Sequence, residues 1–111
     1  MMIADFVEAF NAGDLARCVE FYADDASLQF MAKTYRGKPA IEQWLQQRFA
    51  AGAQILEIRE TILDGESLRL EAIVTSRKLQ AWRLPRMKGR AQVKLDAAGR
   101  IVECKLGAGV F

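Results

Sequence analysis

The spacing of apolar residues changes once along this chain, near Gln54, and this change constrains the fold more than any other feature of the sequence. Before it, apolar residues recur every three or four positions, as they do in amphipathic helices. After it, apolar and polar residues alternate, as they do in half-buried strands. The sequence therefore predicts helices first and a sheet afterwards.

Three helices are predicted in the first half, each from an apolar stripe at helical spacing. Gly13 ends the first helix and Asp14 caps the second, while Pro39 begins the third and Gly52 ends it. The three stripes are Ile3, Phe6, Val7 and Phe10; Leu15, Cys18, Val19 and Tyr22; and Ile41, Trp44, Leu45 and Phe49.

The stretch from Phe21 to Phe30 joins the second helix to a first strand. A polar turn is predicted at residues 23–25, followed by a short strand over residues 27–31 with Leu28 and Phe30 on one side. Residues 33–38 are interpreted as a polar connection to the third helix.

The second half predicts four further strands. A three-residue turn at residues 64–66 joins the first two and sets Arg59 opposite Glu71. Leu84 and Pro85 interrupt the sheet, and residues 96–99 form a hairpin turn. The inward faces are predicted at Leu56, Ile58 and Ile62, with Glu60 on the same side; Leu68, Leu70, Ala72 and Val74; Met87, Ala91, Val93 and Leu95; and Val102, Cys104 and Leu106.

This order of elements predicts one α+β domain over residues 1–111, with helices covering one face of a strongly curved antiparallel sheet. Helices laid across a strongly curved sheet often leave a cone-shaped apolar pocket between them and the sheet. No apolar run approaches the roughly 20 residues that cross a bilayer, and the first ten residues carry acids where a signal peptide carries bases. We therefore expect a cytoplasmic protein that does not enter a membrane.

The chain contains no histidine and two cysteines, which narrows its chemistry. The absence of histidine removes Ser-His and Cys-His nucleophile pairs, imidazole metal ligands and an imidazole base. Cys18 and Cys104 are far apart and neither belongs to a CxxC pair, so we expect two buried apolar side chains. No metal site and no cofactor are expected.

The net charge of +2 conceals an uneven distribution. Residues 1–32 carry six acids against one arginine, a local charge of −5, whereas residues 72–95 carry seven bases and no acid. The bases include Lys88, Arg90 and Lys94 on the outward side of one strand, with Arg77, Arg83, Arg86 and Trp82 nearby in sequence. The spacing places these groups on the outer face of the sheet, and nucleic acid is not the favoured partner of this face.

Three segments resemble a known group of proteins: the helix-AGD-helix-FYADDA start, YRGKPAIEQWL, and the late VKLDAAGRI hairpin. Together they resemble the nuclear transport factor 2-like superfamily, which includes the SnoaL-like polyketide cyclases and the ketosteroid isomerases. The resemblance runs over nearly the whole chain. It implies a cystatin-like cone with a ligand pocket inside it. It also implies a homodimer interface on the outer sheet face, where the basic residues would meet acids of a partner subunit.

The resemblance also implies that the isomerase chemistry is missing. Ketosteroid isomerases use a tyrosine and a protonated aspartic acid as hydrogen-bond donors and a second aspartate as the base. The matched positions hold Phe6 for the tyrosine, Ala91 for the acid and Phe30 for the base. Tyr22 matches a supporting tyrosine, but Leu45 replaces another one. Because a phenyl ring can neither donate nor abstract a proton, this reaction is excluded.

The same matching implies an almost wholly apolar pocket. Either its side chains line a cavity for a small hydrophobic molecule, or they fill the space as core. The predicted lining is Phe6, Phe10, Tyr22, Phe30, Trp44, Met87, Ala91, Val93 and Cys104.

Three alternatives for function stay open on the sequence alone. The first is a non-catalytic domain that binds a small hydrophobic molecule. The second is a cyclase or isomerase using Glu60, whose carboxyl pKa would rise if buried, or a water held by Tyr22. The third is an interaction module that uses the basic face. Asp24 and Asp25 are interpreted as structural turn residues.

Overall fold

The computed structural model describes residues 3–83 and 86–108, apart from the side chains of Glu60 and Ala108. The described residues form four helices and six strands, and none of these helices is long and apolar enough to span a membrane. In chain order the elements are α1 Ile3–Asn11, α2 Leu15–Glu20, β1 Tyr22–Phe30, β2 Lys33–Arg36, α3 Lys38–Ala50, β3 Gln54–Asp64, β4 Ser67–Thr75, α4 Arg77–Ala81, β5 Met87–Leu95 and β6 Ile101–Ala108.

The helices pack on a curved, unclosed sheet, which confirms the predicted α+β class. The strand order is β2-β1-β6-β5-β4-β3. Strands β1 and β6 run parallel, whereas the other neighbours run antiparallel, so the sheet is mixed and not fully antiparallel as predicted. Alternation of side chains could not have indicated this, because it is the same for both strand directions.

Strand β1 begins earlier than the sequence predicts. Tyr22, which was predicted to lie on the stripe of the second helix, is the first residue of β1, because α2 ends at Glu20. The polar segment at residues 23–25 also lies in this strand, where the pairing with β6 shifts register between Tyr22 and Ser27. Such a bulge lets Ala23 and Ala26 be buried while both aspartates between them stay exposed. The predicted polar connection after β1 contains strand β2.

On the face of the sheet toward the helices, two neighbouring rows of side chains differ in burial. We call them the sealed row and the open row. In the sealed row, each side chain is no more than 5% exposed. In the next row, the side chains remain half-buried. The strand registers place Leu28, Cys104, Val93 and Leu68 in the sealed row, and Phe30, Leu106, Ala91 and Leu70 in the open row.

Helix α3 covers the sealed row. Pro39 lies in its first turn, and Ile41, Trp44 and Leu45 are buried on the side toward the sheet. Phe49 packs against the same core while remaining half-buried. The predicted stripe of the third helix is therefore confirmed.

Strand β3 does not have the inward face that was predicted for it. Two register shifts, at residues 55–57 and 58–60, break the alternation, and Leu56 and Ile62 are 49% and 44% exposed. Ile55 packs against the core instead. The shifts also place Glu60, and not Arg59, opposite Glu71. Each bulge adds a residue that moves the following side chains to the other face.

Helix α4 was not predicted, and it supports the end of α3. The Ser76 hydroxyl caps α4 by accepting a hydrogen bond from the backbone of Leu79 at 3.3 Å. Arg77 donates its backbone N–H to the carbonyl of Ala51 at 3.1 Å and its guanidinium to the carbonyl of Ala50. Arg77 thus caps α3. The predicted interruption at Leu84 and Pro85 lies outside the described residues.

The side chain of Asn11 joins helix α1 to strand β3. Its amide nitrogen donates to the carbonyl of Ile55 at 2.8 Å, and its amide oxygen accepts from the backbone N–H of Ile55 at 2.8 Å. Gln54 donates in turn to the carbonyl of Asn11 at 3.1 Å. Because β3 is an edge strand, Asn11 takes the place of a neighbouring strand at this position.

Replacing this amide should therefore destabilise the domain. We expect Asn11→Ala to lower the free energy of unfolding by about 1–3 kcal/mol, because it leaves part-buried backbone groups of Ile55 without partners. Urea denaturation measures the loss, and hydrogen exchange at the Ile55 amide should become faster. The control is Gln46→Ala, an exposed position on α3, which should change stability by at most about 0.5 kcal/mol. Equal losses in the two variants would contradict the role of Asn11.

Candidate ligand site under helix α3

The predicted pocket residues separate into two aromatic groups. The first surrounds Phe6, whose ring centroid lies 6.1 Å from that of Phe10, 5.4 Å from Phe21 and 6.3 Å from Tyr22. Phe10 also contacts Phe49 edge-on at 5.3 Å. Phe10 and Tyr22 are buried, so this group contributes to the packed core of the domain.

The remaining predicted residues lie along the sheet. Val93 and Cys104 belong to the sealed row and are buried in the core. Ala91 lies in the open row, and Met87 is half-buried at the beginning of β5. Whether these residues line a ligand pocket stays a prediction.

Tyr22 is buried together with both cysteines, and all three groups hold their protons tightly. Burial raises the pKa of Tyr22 well above its usual range, and the nearby thiols of Cys104 and Cys18 raise it further. Burial raises the pKa of Cys104 to about 12. Burial, and then the carboxylate of Asp14, raise the pKa of Cys18 to about 11. At neutral pH these groups are uncharged, so none of them supplies an anionic base.

The second aromatic group consists of Phe30, Trp44 and Arg48, and we call it the Trp44 corner. The rings of Phe30 and Trp44 meet edge-on, with centroids 5.5 Å apart. The guanidinium carbon of Arg48 lies 5.0 Å from the centroid of Phe30 and 5.4 Å from that of Trp44. The corner therefore combines two aromatic rings with one cation.

Two buried donors of the Trp44 corner have no acceptor among the described residues. They are the indole nitrogen Nε1 of Trp44 and the guanidinium nitrogen Nε of Arg48. The whole Trp44 residue is only 6% exposed. Buried polar groups are nearly always hydrogen-bonded, so two unpaired donors in adjacent turns of one helix are unusual.

The sequence prediction included Trp44 and omitted Arg48. The available signal was their spacing, because residues four positions apart share one face of a helix. Arg48 lies in the last turn of α3. What the sequence could not show is that its Nε would be buried without a partner.

The acids considered for chemistry lie elsewhere. The backbone of Glu60 pairs with Glu71 between β3 and β4, and its side chain lies outside the described part of the structure. Asp24 and Asp25 are exposed on β1, and Asp24 forms an ion pair with Lys38 at 3.3 Å. That ion pair connects β1 to the beginning of α3, in keeping with a structural role.

The outer face of the sheet carries the basic residues and a cavity of about 550 Å³. Three of the bases are paired across strands: Glu71 contacts Lys88 at 3.4 Å and Arg90 at 3.6 Å, and Glu103 contacts Lys94. Glu103 also contacts Lys105 on its own strand β6. The polar and charged residues that line the cavity are Gln29, Arg69, Glu71, Arg90, Gln92 and Lys105. The remaining lining residues are Ile62, Leu70, Ala91, Leu106 and Gly107, so three residues of the open row also border this cavity.

Comparison with known proteins agrees with this architecture. The sequence model of the SnoaL-like domain matches residues 3–104. The chain belongs to the SnoaL-like domain family. No curated protein matches the sequence significantly.

Solved structures share the fold of this SnoaL-like domain. A candidate polyketide cyclase from Sinorhizobium meliloti is 21% identical, with a TM-score of 0.81 over 95% of this chain and 92% of that one. SalBIII, an epoxide hydrolase/cyclase-like enzyme of pyran ring formation in salinomycin, is 18% identical, with a TM-score of 0.82 over 97% and 88%.

A third neighbour, a candidate ketosteroid isomerase from Kribbella flavida, is 12% identical, with a TM-score of 0.80 over 98% and 76%. At these identities the likenesses show the fold. The family match over residues 3–104 and this shared fold together confirm the predicted superfamily.

The buried thiols predict how stability depends on pH. Because both cysteine pKa values are raised from 9.0, the folded domain holds these protons more tightly than the unfolded chain. The stabilisation that comes from protonated buried thiols is complete below pH 9. It is lost as the pH rises toward 11 for Cys18 and toward 12 for Cys104. Each thiol should contribute a slope of at most about 1.4 kcal/mol per pH unit.

Urea denaturation between pH 8 and pH 10.5 tests this prediction. The double variant Cys18→Ala/Cys104→Ala should lose less stability over this range than the unmodified chain, whatever its stability at pH 8. Each single variant should have an intermediate slope. Identical slopes in all four proteins would contradict the raised thiol pKa values.

Proposed function

We propose that this SnoaL-like domain binds a small hydrophobic molecule between α3 and the open row of the sheet, at the Trp44 corner. The observation that carries the proposal is the buried indole N–H of Trp44, which has no acceptor among the described residues. An unmade hydrogen bond of a buried donor costs about 1–3 kcal/mol. A bound molecule with an acceptor atom would remove that cost.

The open row supports an apolar body for this molecule. Leu106 pairs with Phe30 across β6 and β1, and Ala91 and Leu70 continue the row on the next two strands. All four side chains are half-buried, although they adjoin a row that is sealed. Apolar surface that remains accessible beside a core is typical of ligand sites.

The proposal includes binding and no reaction. Phe6, Phe30 and Ala91 occupy the positions where the resemblance implies catalytic groups, and none of them can transfer a proton. The neighbours are described as cyclases, an epoxide hydrolase-like enzyme and an isomerase, which supports a small organic ligand in this fold. Catalysis by Glu60, or by a water held by Tyr22, stays an untested alternative.

Nuclear magnetic resonance of the two indole N–H groups tests the proposal directly. The chain has two tryptophans, and Trp82 is 61% exposed. We expect lipophilic probes such as 4-phenylbutyrate, octanoate, 2-naphthoate and their methyl esters to move the Trp44 signal and leave the Trp82 signal in place. Saturation at 100 times the Kd should stabilise the fold by about 2.7 kcal/mol.

The variant Trp82→Phe assigns the remaining signal to Trp44 and serves as the control for binding at the exposed indole. It should bind the same probes as the unmodified chain. If no probe moves the Trp44 signal or raises the melting temperature, the proposed function is wrong.

The outer sheet face supports a second proposal, a homodimer in which this face meets carboxylates of a second copy. On strands β4, β5 and β6, the charged side chains of this face are Arg69, Lys88, Arg90, Lys94, Lys105, Glu71 and Glu103, with a net charge of +3. Arg69 has no ion-pair partner in the described part of the chain, and it lines the 550 Å³ cavity. Residues 1–32 carry the complementary charge of −5.

Analytical ultracentrifugation at 50 and 500 mM NaCl tests the dimer. We expect a dimer that weakens at high salt, because screening reduces attraction between opposite charges. Arg69→Glu should dissociate it, whereas Arg17→Glu, on helix α2, should not. A monomer at both salt concentrations, or equal effects of the two substitutions, would contradict this interface.

The compartment that we propose is the cytoplasm. Cys18 and Cys104 are free and buried, and reduced thiols are usual where glutathione and thioredoxin maintain them. Cell fractionation would test this assignment.

A further inference from the structure

We infer that the ligand of the Trp44 corner is an amphiphilic acid, whose ionised carboxylate is held by Arg48 and Trp44 and whose apolar body lies on the open row. The inference rests on the proposed function, because it names the chemical class of molecule for the same site. It is carried by the second unpaired donor, Nε of Arg48, beside the first.

Charge distinguishes this site from a simple apolar pocket. The described ion pairs hold cations at Arg17, Lys38, Arg59, Lys88, Arg90, Lys94, Arg100 and Lys105, and no carboxylate of a described residue lies within 4 Å of the Arg48 guanidinium. Arg48 cannot relieve its burial by losing a proton, because arginine stays charged in proteins. The site therefore presents a fixed positive charge without a counterion among the described residues.

The contacts of Arg48 with its neighbours do not provide an acceptor for its Nε donor. The rings of Phe30 and Trp44 stabilise the charge without offering a lone pair to Nε. The last turn of α3 favours a cation through the helix dipole, worth roughly 0.3–1 kcal/mol. That effect does not pair the Nε–H, which donates to no carbonyl among the described residues. Packing and the helix dipole alone thus leave the donor unexplained.

A carboxylate fits these two donors better than a neutral acceptor. The guanidinium is planar and matches the two oxygens of a carboxylate, and an adjacent indole N–H can donate to one of them. Hydrogen bonds to charged groups contribute about 1.5–3 kcal/mol, against about 1 kcal/mol for neutral ones. The half-buried Leu106, Ala91 and Leu70 favour an acid with an apolar chain or ring.

Each acid is compared with its methyl ester, which distinguishes the contribution of the carboxylate from that of the apolar body. The Trp44 indole signal is titrated with 4-phenylbutyrate, octanoate and 2-naphthoate at pH 7.5, and then with the methyl ester of each. We expect at least one acid to bind about 10- to 100-fold more tightly than its ester. Acetate, which has the carboxylate without the apolar body, should bind at least 10-fold more weakly than that acid.

Variants of Arg48 assign the difference to the guanidinium. Arg48→Met should weaken the acid by about 10- to 100-fold and change the ester by less than about threefold. Arg48→Lys, which keeps the charge but loses the planar fork, should fall between the two. The matched control is Arg59→Met, an exposed arginine on β3, which should leave both affinities unchanged. Circular dichroism verifies that each variant is folded.

The outcomes separate this inference from the proposed function. If acids and esters move the Trp44 signal with equal affinity, or if Arg48→Met and Arg59→Met weaken the acid equally, the carboxylate assignment is wrong while the apolar site stands. If neither acids nor esters move the signal, the proposed function itself fails.

Discussion

The parallel pairing of β1 with β6 is the contact on which the rest of the domain depends. It begins where the backbone N–H of Ile101 donates to the carbonyl of Phe21 at 2.8 Å, and it continues to the pair of Phe30 with Leu106. Helix α3 packs against β1, so this pairing places the helical half of the chain on the sheet formed by the second half. It also joins segments about 80 residues apart, which requires the closure of a long loop before any contact offsets that cost. We expect the pairing to form late in folding.

The candidate site follows from the register of that pairing. One step of two residues along β1, from Leu28 to Phe30, passes from the sealed row to the open row. The resemblance implies that ketosteroid isomerases hold their base at the position of Phe30. In this chain the Phe30 ring contacts Trp44 and Arg48 instead. Unpaired buried donors destabilise a fold, and such local conflicts between stability and structure are expected at functional sites. Among the described residues, the buried donors without a partner are the two in the Trp44 corner.

The charge of a sequence segment differs from the charge of the folded surface to which the segment contributes. The seven bases of residues 72–95 suggest a strongly positive strand face. In the structure, Glu71 and Glu103 lie on the neighbouring strands and pair with three of these bases, Lys88, Arg90 and Lys94, and Arg77 caps α3. The face remains positive but much less so than the run implies. By contrast, Arg48 has no ion-pair partner among the described residues, although Lys38, Glu42 and Arg48 are the only charged residues of α3.

The sequence by itself determined the elements whose signals are local. The stripes of α1 and α3, the inward faces of β4, β5 and β6, and the caps at Asp14 and Pro39 all depend on residues within a few positions of one another. The resemblance predicted the superfamily, and it proposed Phe30 and Trp44 as pocket residues. Only the tertiary structure decided the parallel β1–β6 pair, the two bulges of β3, the capping of α3 by Arg77 and the missing partner of Arg48. The physical reason is that strand direction, register and the pairing of a buried donor depend on residues far apart in the chain, and alternation or helical spacing is the same whichever neighbour a segment meets.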